Sequence, residues 1–424
     1  MYFYIDPGTG SMLFTILIGV LSAAIYMLRN VAIKLRFAMS GGRQKNADAT
    51  RIPFAIFTDD KRYWNTFQPI CDELERRGQA AVYLTASPDD PALKQQYAHV
   101  RTEFIGEGNR AFARMNTLKA DVILSTTPGL EVYQWKRSRD ALCYMHILHM
   151  PNDATLYRMF GLDYFDAVLL TGQYQVDQLR KLEALRGLPA KEMPLVGLPY
   201  LDRLKARLDE VGPAPAHPTT VLLAPSWGPS GLLNVYGKRL LEALLKTDYH
   251  IIVRPHPQSF VSEKPMMDEL MSAFPDSDRL EWDRSNDNFD VLRRSDAMIS
   301  DFSGVMFDFA LVFDGPVIYS KTEFDKGVYD AWWLDDELWT FSILEKLGLQ
   351  LEEKDLGDIG ALVERCLKES RFREGRDQAR RETWANIGHS AEATVDYMIQ
   401  TREKLLNRPE AVPTKDARHE AASA

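Results

Sequence analysis

Cysteine is scarce in this 424-residue chain: Cys71, Cys143 and Cys366 are its only three, widely spaced and odd in number. This excludes a disulfide framework or a cysteine-built zinc cage and fits a reducing compartment. Positive charge is not in excess either. The net charge is −9, and no long Lys/Arg tract interleaved with aromatics occurs, so nucleic acid is not an expected partner. No G-x-S-x-G elbow, Walker loop, GxGxxG fingerprint or Cys/His metal spacing is present, and no repeat of fixed period. Neither a metal nor a cofactor is expected. What remains is a folded composition, 45% hydrophobic and 26% charged, in a chain long enough for two domains of ordinary size.

Long uncharged apolar runs are absent except for one, Met12 to Leu28. As a helix it would span roughly 26 Å, slightly short of a ~30 Å hydrocarbon core, so it would cross with help from Gly10 and Ser11 or sit as a re-entrant anchor. A secretory signal would begin with basic residues, whereas Asp6 stands there, and no convincing cleavage site follows. The expectation is therefore a retained membrane anchor over residues 1–30. Arg29, Lys34, Arg36, Arg43 and Lys45 follow with no acid before Asp48, which puts the globular part on the cytoplasmic side. A buried core helix is the alternative.

After a basic linker, 31–50, strand-like and helix-like segments alternate as in α/β units. Residues 52–57 lead to a helix pattern from Tyr63 to Arg77, and 80–84 read as the next strand. Further strands are expected at 100–105, 121–125, 141–148, 167–170 and 194–196, within a first domain over 51–203. A proline-rich connection follows in the linker 204–219. The rhythm restarts with strands at 220–224, 250–253, 297–300 and 316–319 and helices at 232–246 and from Val305, in a second domain over 220–407. The segment from Ser390 to Leu406 has an N-cap residue and one apolar face, so it should pack against a domain. The tail 408–424 reads as disordered. The fold class is thus α/β, with two doubly wound Rossmann-like domains facing across a cleft.

Two strand ends carry the candidate chemistry. Ile251 to Val253 runs into Arg254-Pro-His256-Pro, and in open α/β sheets ligands bind beyond the carboxyl ends of strands. Arg254 and His256 differ by two, so extended backbone would project both to one face, suited to phosphate. The strand through Ser300 passes Asp301 and Ser303-Gly304 into a helix, whose first N–H groups and partial positive charge form an anion site. Ser303 also suits an N-cap. Asp301 and Asp308 would repel a diphosphate if aimed at it, so they orient neighbours or lie outside the pocket. Of His146 and His149, an odd separation on a strand lets one ring reach the cleft, and His149 at the strand's end is the candidate general base. Glu323, Asp325 and Asp330, beyond Tyr319, stand at another strand's end. Asp276-Ser-Asp278 reads as surface rather than as a metal-binding DxD pair.

Ala224-Pro-Ser-Trp227, Arg254-Pro-His-Pro257 and Ser300-Asp-Phe-Ser-Gly-Val-Met-Phe-Asp-Phe309 with Gly315-Pro-Val-Ile318 resemble the CDP-glycerol glycerophosphotransferase family, the teichoic-acid primases and polymerases with a GT-B-like fold. The likeness reaches Gly197-Leu-Pro-Tyr-Leu-Asp202 and, more loosely, the His149 region. It implies an acceptor-binding first domain and a nucleotide-donor second domain. His149 would activate an acceptor hydroxyl, and His256 would contact the diphosphate of a CDP-linked donor. By the resemblance Ser303 would lie by the donor phosphates; Arg254, Ser300, Asp301, Gly304 and Glu323 complete the substrate-binding candidates read from the strand ends. Departures occur where the family often has His-Gly for His149-Met150, Arg for Tyr200 and Ser for Gly304. The implied partners are a CDP-polyol donor, a lipid- or glycan-linked acceptor and a membrane. A glycosyltransferase using a nucleotide sugar and a non-catalytic membrane-tethered module are the alternatives.

Overall fold

The structure, a computed structural model, describes residues 51–285, 287–301, 303–320, 326–330, 333, 335 and 337–407. The expected membrane anchor, the basic linker, the tail, Glu323 and Asp325 lie outside these residues. The chain divides into units 1–51 and 52–424, and all the described residues but Arg51 lie in the second. Among the described residues no helix is long and apolar enough to cross a membrane.

Two six-stranded sheets, parallel throughout, build this unit. The first holds β1 (Ile52–Thr58), β2 (Ala81–Thr85), β3 (Val100–Phe104), β4 (Ala120–Ser125), β5 (Ala141–Ile147) and β6 (Ala167–Leu169), in the order β3-β2-β1-β4-β5-β6. The second holds β7 (Thr220–Leu223), β8 (His250–Val253), β9 (Leu280–Trp282), β10 (Ala297–Ser300), β11 (Val317–Ser320) and β12 (Gly348–Leu351), in the order β12-β11-β10-β7-β8-β9. Read from the other edge, the second order is the same as the first. Each sheet therefore reverses its winding at one place, between β1 and β4 and between β7 and β10, where a crevice opens beyond the strand ends.

Near-continuous apolar strands follow from burial on both faces. Phe54 and Ile56 of β1 pack with the helix Trp64–Arg76, while Ala55 and Phe57 pack on the opposite face with Tyr144 and Trp135. In β7, Val221 and Leu223 face one core and Leu222 the other. Four segments depart from expectation. Residues 194–196 form no strand, only the single bridge of Leu195 to Leu170. The helix expected at 232–246 is two, Leu232–Val235 and Gly237–Leu245, broken where Gly237 takes φ +42°. Short β9 and β12, each with a polar residue, were unexpected.

Domain limits also differ. The helix Pro199–Val211 runs through the expected boundary at 203/204. The helix Ser390–Leu406, grouped by position with the second domain, packs on the first sheet, where Val395 and Met398 join Phe54 and Val122 in one core. To return there, the end of the helix Arg371–Thr383 and the chain just after it press on two glycines of the first half. A Cβ on Gly172 would stand 1.9 Å from the Glu382 carbonyl oxygen, and one on Gly197 1.9 Å from that of Ala385. Asp202 fastens the crossing, accepting from Trp384 Nε1 at 2.8 Å, Gly388 N at 2.8 Å and Ser390 N at 2.7 Å.

Candidate active site

Loops beyond β1, β5, β8 and β10 meet the helix Pro199–Val211 around a cavity of about 470 Å³. Arg62, His149, Met150, His256, Gly304 and Asp308 line it, with Tyr63, Tyr200 and Asn288. Its size falls in the range of small-molecule sites, roughly 300–1,000 Å³. The two histidines and the helix start singled out from sequence thus come together.

His149 stands two residues past the end of β5. Its Nδ1 lies 3.0 Å from Thr126 Oγ1, just beyond β4, and the Tyr63 ring meets the imidazole edge-on at 4.8 Å. Burial, and then the Arg62 guanidinium, push its pKa down to about 4, so the ring is neutral at working pH. Asp153, fully buried, holds the following loop by accepting from Trp339 N at 2.8 Å and Thr340 N at 2.9 Å. His146 is packed edge-on against Tyr157 and Phe165, and burial lowers it to about 3. It is a core residue.

His256 Nδ1 accepts from Gln258 N at 3.1 Å, which leaves the proton on Nε2 in the neutral ring. Partial desolvation, and then Arg62, lower its pKa. Arg254 does not share its face. β8 ends at Val253, and the Arg254 guanidinium turns to Asp283, past β9, in a largely buried ion pair, with Ser285 Oγ at 3.2 Å. A buried guanidinium needs such a carboxylate. Arg254 and Ser303 still line a smaller cavity of about 120 Å³ that shares His256, Asn288 and Val305 with the larger one.

At the end of β10, Ser300 and Asp301 are buried and occupied with the fold. Ser300 Oγ donates to the Ala224 carbonyl at 2.5 Å, and the Asp301 carboxylate accepts from Ser226 N at 3.0 Å and Leu232 N at 2.8 Å. They shape the Ala224-Pro-Ser-Trp227 turn, and neither lines the cavities. Ser303 does not cap the helix Val305–Val312, since Gly304 occupies the N-cap position and no side chain caps. Instead the first turn is tightened by Met306 N to Ser303 O at 3.2 Å and Phe307 N to Gly304 O at 3.0 Å. Met306 N and Phe307 N are thus engaged, and Gly304 and Val305, which open the helix, line the cavity.

Asp308, one turn on, lines the cavity rather than lying outside it. Its carboxyl accepts from Tyr200 Oη at 3.0 Å and is bonded by Asn288, but burial outweighs both and raises it to about 7. Arg62, Tyr63, Tyr200 and Asn288 were missed as site residues. Their signal was positional, since each follows a strand end or opens a helix beside the cleft. Asp276 accepts from Trp282 N at 2.8 Å in a turn, remote from a ligand role.

With this geometry in view, residues 182–331 match the family model described as CDP-Glycerol:Poly(glycerophosphate) glycerophosphotransferase. This segment belongs to that family. The glycerophosphotransferase segment contains Tyr200, Arg254, His256, Gly304 and Asp308, while His149 precedes it. No curated protein matches the chain. Among solved structures, the wall teichoic acid polymerase TagF soaked with CDPG is 15% identical with a TM-score of 0.56, over 92% of this chain and 99% of that one. A UDP co-structure of S. aureus MnaA is 11% identical with a TM-score of 0.57, over 83% and 97%. A Neisseria meningitidis UDP-GlcNAc 2-epimerase is 13% identical with a TM-score of 0.50, over 83% and 100%. At these identities the likeness shows the fold alone, which is GT-B-like.

Proposed function

We propose that the chain transfers a polyol phosphate, with glycerol phosphate the leading candidate, from a CDP-linked donor to a hydroxyl of a lipid- or glycan-linked acceptor in cell-surface polymer synthesis. The observation that carries this reading is the single cavity that His149, His256 and the helix start at Gly304 line together, within and beside a glycerophosphotransferase segment. With Nδ1–H donating to Thr126 Oγ1, His149 Nε2 presents a lone pair to an acceptor hydroxyl. The hydroxyl oxygen attacks the phosphorus that bears the polyol. The phosphoanhydride bond to CMP breaks, a phosphodiester forms, and the proton passes to His149. The Nε2–H of His256 and the partial positive charge of the helix start at Gly304 offset charge on the departing CMP. No metal or cofactor takes part in this scheme. The apolar run at 12–28 and its basic flank support attachment to a membrane at its cytoplasmic face, beside lipid-linked acceptors.

The test is CMP release from CDP-glycerol, with product mass, by full-length protein in vesicles. His149→Ala and His256→Ala, each shown to be folded, should lose roughly a hundredfold or more, as expected of acid–base and charge-stabilising groups. Wild-type rates in both would overturn the assignment.

A further inference from the structure

A carboxyl group that lines a cavity for a diphosphate poses an electrostatic problem. As a carboxylate, Asp308 would repel the ligand at close range, where attraction and repulsion are strong. Its surroundings resolve the conflict. The side chain is held by neutral partners, Tyr200 Oη at 3.0 Å and Asn288, and among the described residues no cation pairs with it. The charged and titratable groups facing the same cavity come from four elements: Arg62 and Tyr63 after β1, His149 after β5, Tyr200 on its helix, and His256 after β8. Arg62 is engaged by Asp60 at 3.1 Å. Both histidines are shifted toward the neutral form.

We propose that Asp308 works as a neutral carboxylic acid that donates a hydrogen bond to an anionic ligand, so that binding of a diphosphate donor is coupled to a proton held at this one site. Tyr200 Oη, on Oδ2, and Asn288 fix the carboxyl in the cavity wall. Burial in the ligand-free cavity already raises the group to about 7, and a neighbouring anion favours the protonated form further. The identity of the anion rests on the donor reading above. The protonation of Asp308 does not.

The experiment measures CDP-glycerol affinity by calorimetry between pH 6 and 9, where its diphosphate diester does not titrate and His149 is neutral, with His256→Gln as the background that removes any titration of His256. Wild-type affinity should fall about tenfold per pH unit once the carboxyl loses its proton, as proton linkage requires. Asp308→Asn, which mimics the neutral acid, should stay flat within about twofold across this range and match wild type at pH 6. Tyr200→Phe removes a donor to the carboxylate, so its decline should start at higher pH. A flat wild-type profile, or an Asp308→Asn protein that is folded yet binds weakly at every pH, overturns the proposal. Failure of wild type to bind CDP-glycerol at any pH would sink the donor reading instead. In that case the carbon-13 shift of the Asp308 carboxyl in the free protein decides its protonation: titration near pH 7 supports the proposal, and titration near 4 overturns it.

Discussion

Met150 and Gly304 meet across the cavity: a Cβ on Gly304 would stand 3.0 Å from the Met150 Cε methyl. One residue follows the candidate base and the other opens the helix from β10. Both depart from the pattern noted above, where Gly and Ser are frequent. The bulky side chain on one side and the missing one on the other are therefore complementary. Gly304 has φ −58°, an ordinary helical value, so space and not backbone strain limits substitution there.

This complementarity makes a double-mutant prediction. Gly304→Ser alone should raise KM for the donor several-fold, because Met150 must yield, and Met150→Gly alone should loosen the cavity. The pair together should recover, with a coupling of about 0.5–1 kcal/mol, typical of side chains in direct contact. Additive effects in a steady-state cycle would show that the contact does not set the width of the site.

His149 should keep its function well into acid. Because burial lowers it to about 4, the neutral base persists where an ordinary histidine would already be protonated, and kcat should hold from pH 7 to about 5 before falling. A decline centred on 6.5 would contradict this. The same shift carries a stability sign. The lowered native pKa contributes stability above 6.5 that is lost as pH falls toward 4, since folding then excludes a proton that the unfolded chain binds. Thr126→Val should lower kcat about tenfold at unchanged KM by freeing the ring, and Thr126→Ser should restore it.

Much of this was legible in residue patterns. Ten of the twelve strands fall on expected segments, most of them predominantly apolar, since parallel strands are buried on both faces. Strand ends then pointed to His149, His256 and Gly304. What failed had physical causes. β9 and β12 are short and carry Glu281 and Gln350, which blur a buried-strand pattern. Extended periodicity was carried past Val253, although the strand had ended, so Arg254 was assigned to phosphate when Asp283 claims it. Ser300 and Asp301 suit a ligand and a turn equally well by residue type, and only their acceptors and donors decide. The return of the last helix to the first sheet depends on contacts across about two hundred residues, which no local pattern encodes.

The Arg254–Asp283 pair should act on stability before it acts on the ligand. The side chains are 16% and 9% exposed, so removing one leaves a charge largely without water or partner. Asp283→Ala should cost about 3–5 kcal/mol in urea unfolding, and Arg254→Met with Asp283→Leu should recover most of it. Donor affinity in that double variant should stay within a few-fold of wild type. A loss of a hundredfold or more would return Arg254 to the role of a phosphate ligand.

Asp202 provides the sharpest test of how the two sheets are tied. It lies in Gly197-Leu-Pro-Tyr-Leu-Asp202 and accepts from Trp384 Nε1, Gly388 N and Ser390 N, while Ser390 Oγ accepts from Leu198 N at 3.0 Å. Two backbone donors and an indole would lose their acceptor in Asp202→Ala. A buried donor left unpaired costs roughly 1–3 kcal/mol, although water can reach part of this crossing. We expect a loss of about 3 kcal/mol in urea unfolding, with amide exchange accelerated first along 384–390 and then through the helix Ser390–Leu406. Asp202→Asn should recover part of it, because its one carbonyl oxygen can serve some of these donors. Unchanged exchange at 384–390 would mean that the apolar seat of Val395 and Met398 holds the helix without the carboxylate.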